Sequence, residues 1–229
     1  MTDNKRPRGL LAAAAVLLLL VGISLLNQDD DGGGQTAPST APTVSQPIAP
    51  TSAPTQSFAP LTAAPTGVAW ELFQGVALPA SRTDGPTRVD GAVHAGFSRT
   101  PTGALLADVQ ISYRSLVDPD LGNLRRVAQQ QLAEGAGKVA FLNLLGQLKE
   151  NDPPATGYAQ IVGFRYITYT PDVAVISRAT RGSSGHIQVG TDTMRWVDGD
   201  WKLEKPAGGL QQPQIVQDLA GYVPWSGVS

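Results

Sequence analysis

Residues Gly9–Leu26 (GLLAAAAVLLLLVGISLL) form an uncharged apolar run of 18 residues, and this run fixes where a globular fold can begin. At a helical rise of about 1.5 Å per residue it spans roughly 27 Å, enough to cross a hydrocarbon core. Lys5, Arg6 and Arg8 precede it, and Asp29, Asp30 and Asp31 follow. The positive-inside rule then predicts residues 1–8 as a cytoplasmic tail, 9–26 as a transmembrane signal anchor in the cell membrane, and the rest of the chain as extracytoplasmic. A cleaved signal peptide is the competing reading. It fits the charged start, but the run is longer than a usual signal core. GISLLNQDDD also offers no small-residue cleavage site.

The next segment, residues 27–67, cannot build a core. It holds seven prolines, no Lys or Arg, and a repeating mixture of Ala, Thr and Ser (TAPSTAPTVSQPIAPTSAPT). Almost nothing in it is large enough to bury, so it cannot offset the entropy cost of ordering; a disordered linker is predicted. Proline at this density favours extended polyproline II, which gives the linker a reach of up to roughly 120 Å. Its Thr/Ser–Pro pattern also suits O-linked sugars. Residues 68–229 remain as one extracytoplasmic domain, long enough for a real core. With no cysteine in the chain, that core has no disulfide, and thiolate metal sites and cysteine nucleophiles are excluded. Beyond residue 31, 15 acidic side chains face 14 basic ones with no basic run, so no nucleic-acid surface is expected.

Within the domain, VAWELFQGVALP alternates apolar residues, and Asp84-Gly85-Pro86 and Asp90-Gly91 mark turns. Thr100-Pro101 is a helix start, with Leu106, Val109, Tyr113 and Leu116 as an apolar stripe. Asp118-Pro119 restarts a helix that places Leu121, Leu124, Ala128 and Leu132 on one side. Gly135-Ala-Gly137 interrupts it, and KVAFLNLLGQLK makes a third helix. From Tyr158 onward the chain reads as β-branched and aromatic strands separated by turns, followed by a short amphipathic stretch at 214–220. Helices first and then an antiparallel meander predict an α+β fold.

The densest acidic segment is DTMRWVDGDWKLE, residues 192–204. Asp198-Gly199 between two strand-like runs is the favoured type I′ hairpin signal. That turn pairs Val197 with Asp200, Trp196 with Trp201, Arg195 with Lys202 and Met194 with Leu203, which brings the tryptophans together on one face. It separates the acids, so Trp196, Asp198, Gly199 and Trp201 are read as a structural hairpin, not a carboxylate site. Asp200 should point away from the tryptophans, beside Lys202, and its change to Asn should be nearly silent. The apolar parity of Ile187 and Val189 differs from that of Met194 and Trp196, which suggests a bulge at Gly190 or two separate strands.

No other pattern converges on chemistry. His94 and His186 are the only histidines, without metal-ligand spacing; His94 lies in a turn-rich segment and is expected at the surface. There is no G-x-S-x-G elbow and no phosphate-binding glycine loop. Tyr158, Tyr166, Tyr169 and Asp172 are candidates to line a cavity. Asp108 is the nearest candidate for a catalytic carboxylate, although an acid in a helix is expected on its solvent face. No catalytic residue, cofactor or metal is therefore assigned.

The order of these features resembles the bitopic assembly subunit of conjugative type IV secretion systems and its Gram-positive transfer-protein relatives: short tail, membrane helix, Pro/Thr linker, helices, then a meander ending W-V-D-G-D-W. Two segments, LPASRTDGPTRVDG (78–91) and GFSRTPTGALLA (96–107), resemble membrane-anchored proteins of actinobacterial conjugative elements. The resemblance implies a cystatin-like roll of the nuclear-transport-factor-two superfamily, with helices packed on a curved antiparallel sheet. It further implies a non-enzymatic envelope protein that contacts other transfer-apparatus proteins and forms a homo-oligomer. Two alternatives differ in class: a surface module that binds a small ligand or cell-wall component in the roll's cavity, and an isomerase- or dehydratase-like enzyme. The enzyme needs a buried carboxylate facing a cavity.

Overall fold

The computed structural model describes residues 59–148, 158–208 and 212–227. The predicted tail, membrane helix and most of the linker lie outside them. Among the described residues no helix is long and apolar enough to cross a membrane. The packed structure takes in Leu61, which lies against the core a few residues before Val68.

The architecture is α+β. Strands β1 (Val68–Phe73) and β2 (Val76–Ser81) form a hairpin around Gln74 and Gly75, both at positive φ. A smaller hairpin, β3 (Arg88–Asp90) and β4 (Val93–Ala95), turns at Gly91. Helices α1 (Pro101–Arg114), α2 (Leu121–Gln131) and α3 (Ala136–Gln147) follow. The main sheet contains β5 (Gln160–Tyr169), β6 (Val173–Arg181), β7 (Ile187–Val197) and β8 (Asp200–Glu204) in sequential antiparallel order. Short strands β9 (Gln214–Val216) and β10 (Val223–Pro224) add to β7 and β5.

Local chemistry sets the helix starts. Thr100 caps α1 by accepting from Gly103 N at 2.9 Å, with Pro101 at the first helical position. For α2 the cap is Asp120, whose Oδ1 accepts from Gly122 N at 2.7 Å, two residues later than the Asp118-Pro119 signal suggests. Gly137, near the start of α3, permits a close approach. A Cβ there would overlap the Lys205 carbonyl, with the Pro206 carbonyl carbon at 3.0 Å.

Helix α1 differs from the one-sided helix that the sequence predicts. It lies against β2, β4 and the inner faces of β6, β7 and β8. Every residue in it except Thr102 is buried, while Leu116, the last of the predicted stripe, is exposed. A helix covered on all sides is core, and its polar residues must find partners inside the protein. Gln110 does so by donating to Pro79 O at 2.9 Å and accepting from Arg114 Nε at 2.8 Å, which ties α1 to the first hairpin.

The chain end closes the core. Trp225 donates its backbone N–H to Val162 O, and its ring packs 5.5 Å from Phe164 and 4.8 Å from Trp70 of β1. The same segment crosses the other face of the sheet, where Tyr222 Oη lies 2.8 Å from Ser177 Oγ and a Cβ on Gly163 would meet Val223 O at 2.9 Å. This cover explains the change of parity in β7. The strand runs unbroken, with Gly190 paired to Arg178, and needs no bulge. Ser177 and Ala179 are buried on that outer face, and neighbouring Ile187 is buried there too.

Candidate functional site

The β7–β8 turn has Asp198 at φ 54° and Gly199 at φ 77°, as a type I′ turn requires. Its register pairs Val197 with Asp200, Trp196 with Trp201, Arg195 with Lys202 and Met194 with Leu203, the pairs that the turn sequence predicts. The two indole rings meet edge-to-face at 5.4 Å. Trp201 is buried, and its Nε1 donates to Ser98 O at 2.9 Å.

Asp200 departs from expectation. It does point away from Trp201, but the segment between β4 and α1 covers that side. Its carboxylate accepts from Gly96 N at 2.6 Å, Phe97 N at 3.0 Å and Trp201 N at 2.9 Å, and Arg88 Nη2 lies at 3.4 Å. Asp84 performs a matching task nearby. Its Oδ1 accepts from Ser98 Oγ at 2.6 Å and Thr100 Oγ1 at 2.7 Å, and its Oδ2 accepts from Thr83 Oγ1 at 2.8 Å. Burial works against its charge, yet these hydroxyls, with Ser81, hold its carboxyl below the usual range. The two sequence segments 78–91 and 96–107 are thus stitched to each other and to the hairpin by two carboxylates.

A second cluster lies on the inner face of the sheet. Asp108 is fully buried in the middle of α1, not on a solvent face as expected. Arg178 of β6 reaches it, with Nη1 2.7 Å from Asp108 Oδ2 and Nη2 2.9 Å from Asp192 Oδ2 on β7. Ser112, one turn along α1, lies 3.4 Å from Nη1, and the Tyr113 ring lies 5.7 Å from the guanidinium carbon. Burial raises Asp108 most strongly, Arg178 opposes, and the Asp192 charge raises it further, so its carboxyl is pushed up to about 7. Its Oδ1 has no hydrogen-bond partner among the described residues.

The cluster reaches solvent on one side. The Asp192 side chain is 22% exposed, and a Cβ on Gly190, opposite Arg178, would meet nothing within 4 Å. The arrangement can hold two carboxylates on one guanidinium, and it leaves room beside them on the sheet.

The other candidates are placed elsewhere. Tyr158, Tyr166 and Tyr169 pack against the core. Tyr166 Oη donates to Pro101 O, and Tyr169 Oη donates to Arg99 O at 3.4 Å. Asp172 is exposed in the β5–β6 turn and pairs with Arg99. His94 is buried, contrary to expectation. Burial first, then the Arg114 charge, lowers its imidazole to about 4. His186 is exposed. Among the described residues no group of three or more His, Cys, Asp or Glu could hold a metal.

The fold and its inner cluster define an α+β domain whose charged side chains are largely bound to one another or to backbone. The chain belongs to the family described as Domain of unknown function (DUF8175), whose model matches residues 29–224. No curated protein and no solved structure matches the chain.

Proposed function

We propose that this chain is a non-enzymatic, single-pass envelope protein that acts through protein–protein contacts in a conjugative DNA-transfer apparatus. Residues 9–26 anchor it, residues 27–67 space it from the membrane, and the α+β domain is a cystatin-like roll that assembles with itself and with transfer-apparatus proteins. Three helices followed by an antiparallel meander agree with such a roll. The observation that carries the reading is the use made of the buried acids. Asp200 holds backbone N–H groups, and Asp108 is sealed beneath Arg178, where no substrate atom reaches it. The test is transfer of the conjugative element from a strain lacking the protein. Transfer should fail, return with the intact chain, and not return with a chain lacking residues 9–26. Wild-type transfer without the protein would sink the proposal.

A second reading, a module that binds a small ligand or cell-wall component, is favoured by the open space at Gly190 and the partly exposed Asp192. The variant Gly190→Leu separates the two, because it fills that space from a strand position. Under the contact reading, the variant folds and supports transfer within about twofold of wild type, since a strand-compatible side chain with room around it costs little. A folded Gly190→Leu protein that no longer supports transfer would favour the ligand.

A further inference from the structure

Two carboxylates on one guanidinium make an arrangement with one negative charge too many for a buried site. Each accepts from Arg178 through its Oδ2, at 2.7 Å for Asp108 and 2.9 Å for Asp192. Among the described residues Asp108 Oδ1 has no donor, and Asp192 shares the same guanidinium as its neighbour. Two ionised acids in that position repel, whereas a single proton between them turns the contact into a hydrogen bond.

Among the described residues the groups near Asp108 are otherwise engaged. On α1 itself, Ser112 lies beside Arg178, and the Tyr113 hydroxyl donates to Ala159 O at 2.6 Å. From β5, the Tyr166 hydroxyl donates to Pro101 O. After β8, Lys205 is half-buried over the Phe141 ring, and burial disfavours its charge. Among the described residues Arg178 is the cation in hydrogen-bonding contact with Asp108, and it is shared with Asp192.

We propose that Asp108 and Asp192 hold one proton between them across Arg178, so that the core carries an acid proton in mildly acidic surroundings and loses stability when it sheds it. Burial pushes Asp108 above its unfolded value of 3.8, to about 7. A group with a raised folded pKa contributes stability that is complete below the unfolded value and is lost as pH rises through the folded one. The window is therefore about pH 4 to 7. His94 acts with the opposite sign in an overlapping window, because its lowered pKa, about 4, makes the folded state lose stability as pH falls below 6.5. Wild-type stability alone therefore conceals the effect, and a comparison of variants reveals it.

The experiment measures urea unfolding of the full chain in mild detergent from pH 4.5 to 8, for wild type and Asp108→Asn. The Asn amide donates to Asp192 at every pH and so imitates the protonated acid. The wild-type folding equilibrium constant, taken relative to that of Asp108→Asn, should fall toward a tenfold loss per pH unit between pH 5 and 7. Parallel profiles for the two proteins would overturn the proposal. An infrared titration of the wild type gives a second reading that does not depend on the variant folding. A protonated-carboxyl band should persist at pH 6, well above the range of exposed acids. Absence of that band at pH 6 would overturn the proposal as well.

Discussion

Replacing Arg178 with Met is expected to destabilise the domain by about 3–5 kcal/mol, the cost of breaking a buried ion pair by removing one partner. The Met side chain keeps most of the apolar stem but no donor. Asp108 and Asp192 then face each other in a buried site without a cation, and Asp108 loses the 2.7 Å bond to its Oδ2. Such a domain escapes the cost only by protonating both acids or by opening α1 away from the sheet. The second response is costly because α1 is buried on nearly all sides. The measurement is the midpoint of thermal or urea unfolding. Adding Asp108→Asn to Arg178→Met should recover part of the loss, because it removes one of the stranded charges. A loss from Arg178→Met below about 1 kcal/mol, the range of exposed pairs, would show that the cluster does not hold α1 to the sheet.

The second large effect is expected at Asp200, where the change to Asn should cost about 2–3 kcal/mol. The substitution keeps the shape of the side chain and one carbonyl oxygen. It turns the other oxygen into an amide that confronts an N–H group, from Gly96 in one orientation and from Phe97 and Trp201 in the other. A buried backbone donor left without an acceptor carries its full desolvation cost. For a domain of this size the unfolding midpoint should drop by roughly 5–10 °C. Arg88 contributes little to this figure, because its side chain is 70% exposed and its ion pair is screened. An unchanged midpoint would mean that the β4–α1 segment is held by other contacts.

The contrast between these two acids and the hairpin that contains one of them shows what the sequence could reveal. The register of β7 with β8 is legible because an Asp-Gly turn specifies both central residues at positive φ, and strand alternation does the rest. Alternation tells which side of the sheet Asp200 faces. It does not tell that the backbone of Gly96 and Phe97 reaches its carboxylate, because this contact spans about a hundred residues of chain. Asp108 is hidden for a different reason. Helical periodicity separates a buried from an exposed face only where a helix has both, and α1 has almost no exposed face. Its partners become visible only with the pairing of β6 and β7, which puts Arg178 opposite Gly190 and diagonal to Asp192. The parity change in β7 has the same origin, since the C-terminal segment covers part of the outer face. Local signals therefore give the elements and their order, while the charged cluster depends on long-range packing.

The variant Asp192→Asn separates a domain that works by contact from one that works by chemistry. Asp192 is the partly exposed acid of the inner cluster, the one that a substrate or ligand would meet. An Asn there can still accept from Arg178, and it removes one of the two acids beside that guanidinium, so the variant should fold and be present in normal amount. In a strain lacking the wild-type protein, element transfer with this variant is expected at the wild-type frequency. A folded, normally abundant Asp192→Asn protein that fails to support transfer would contradict it.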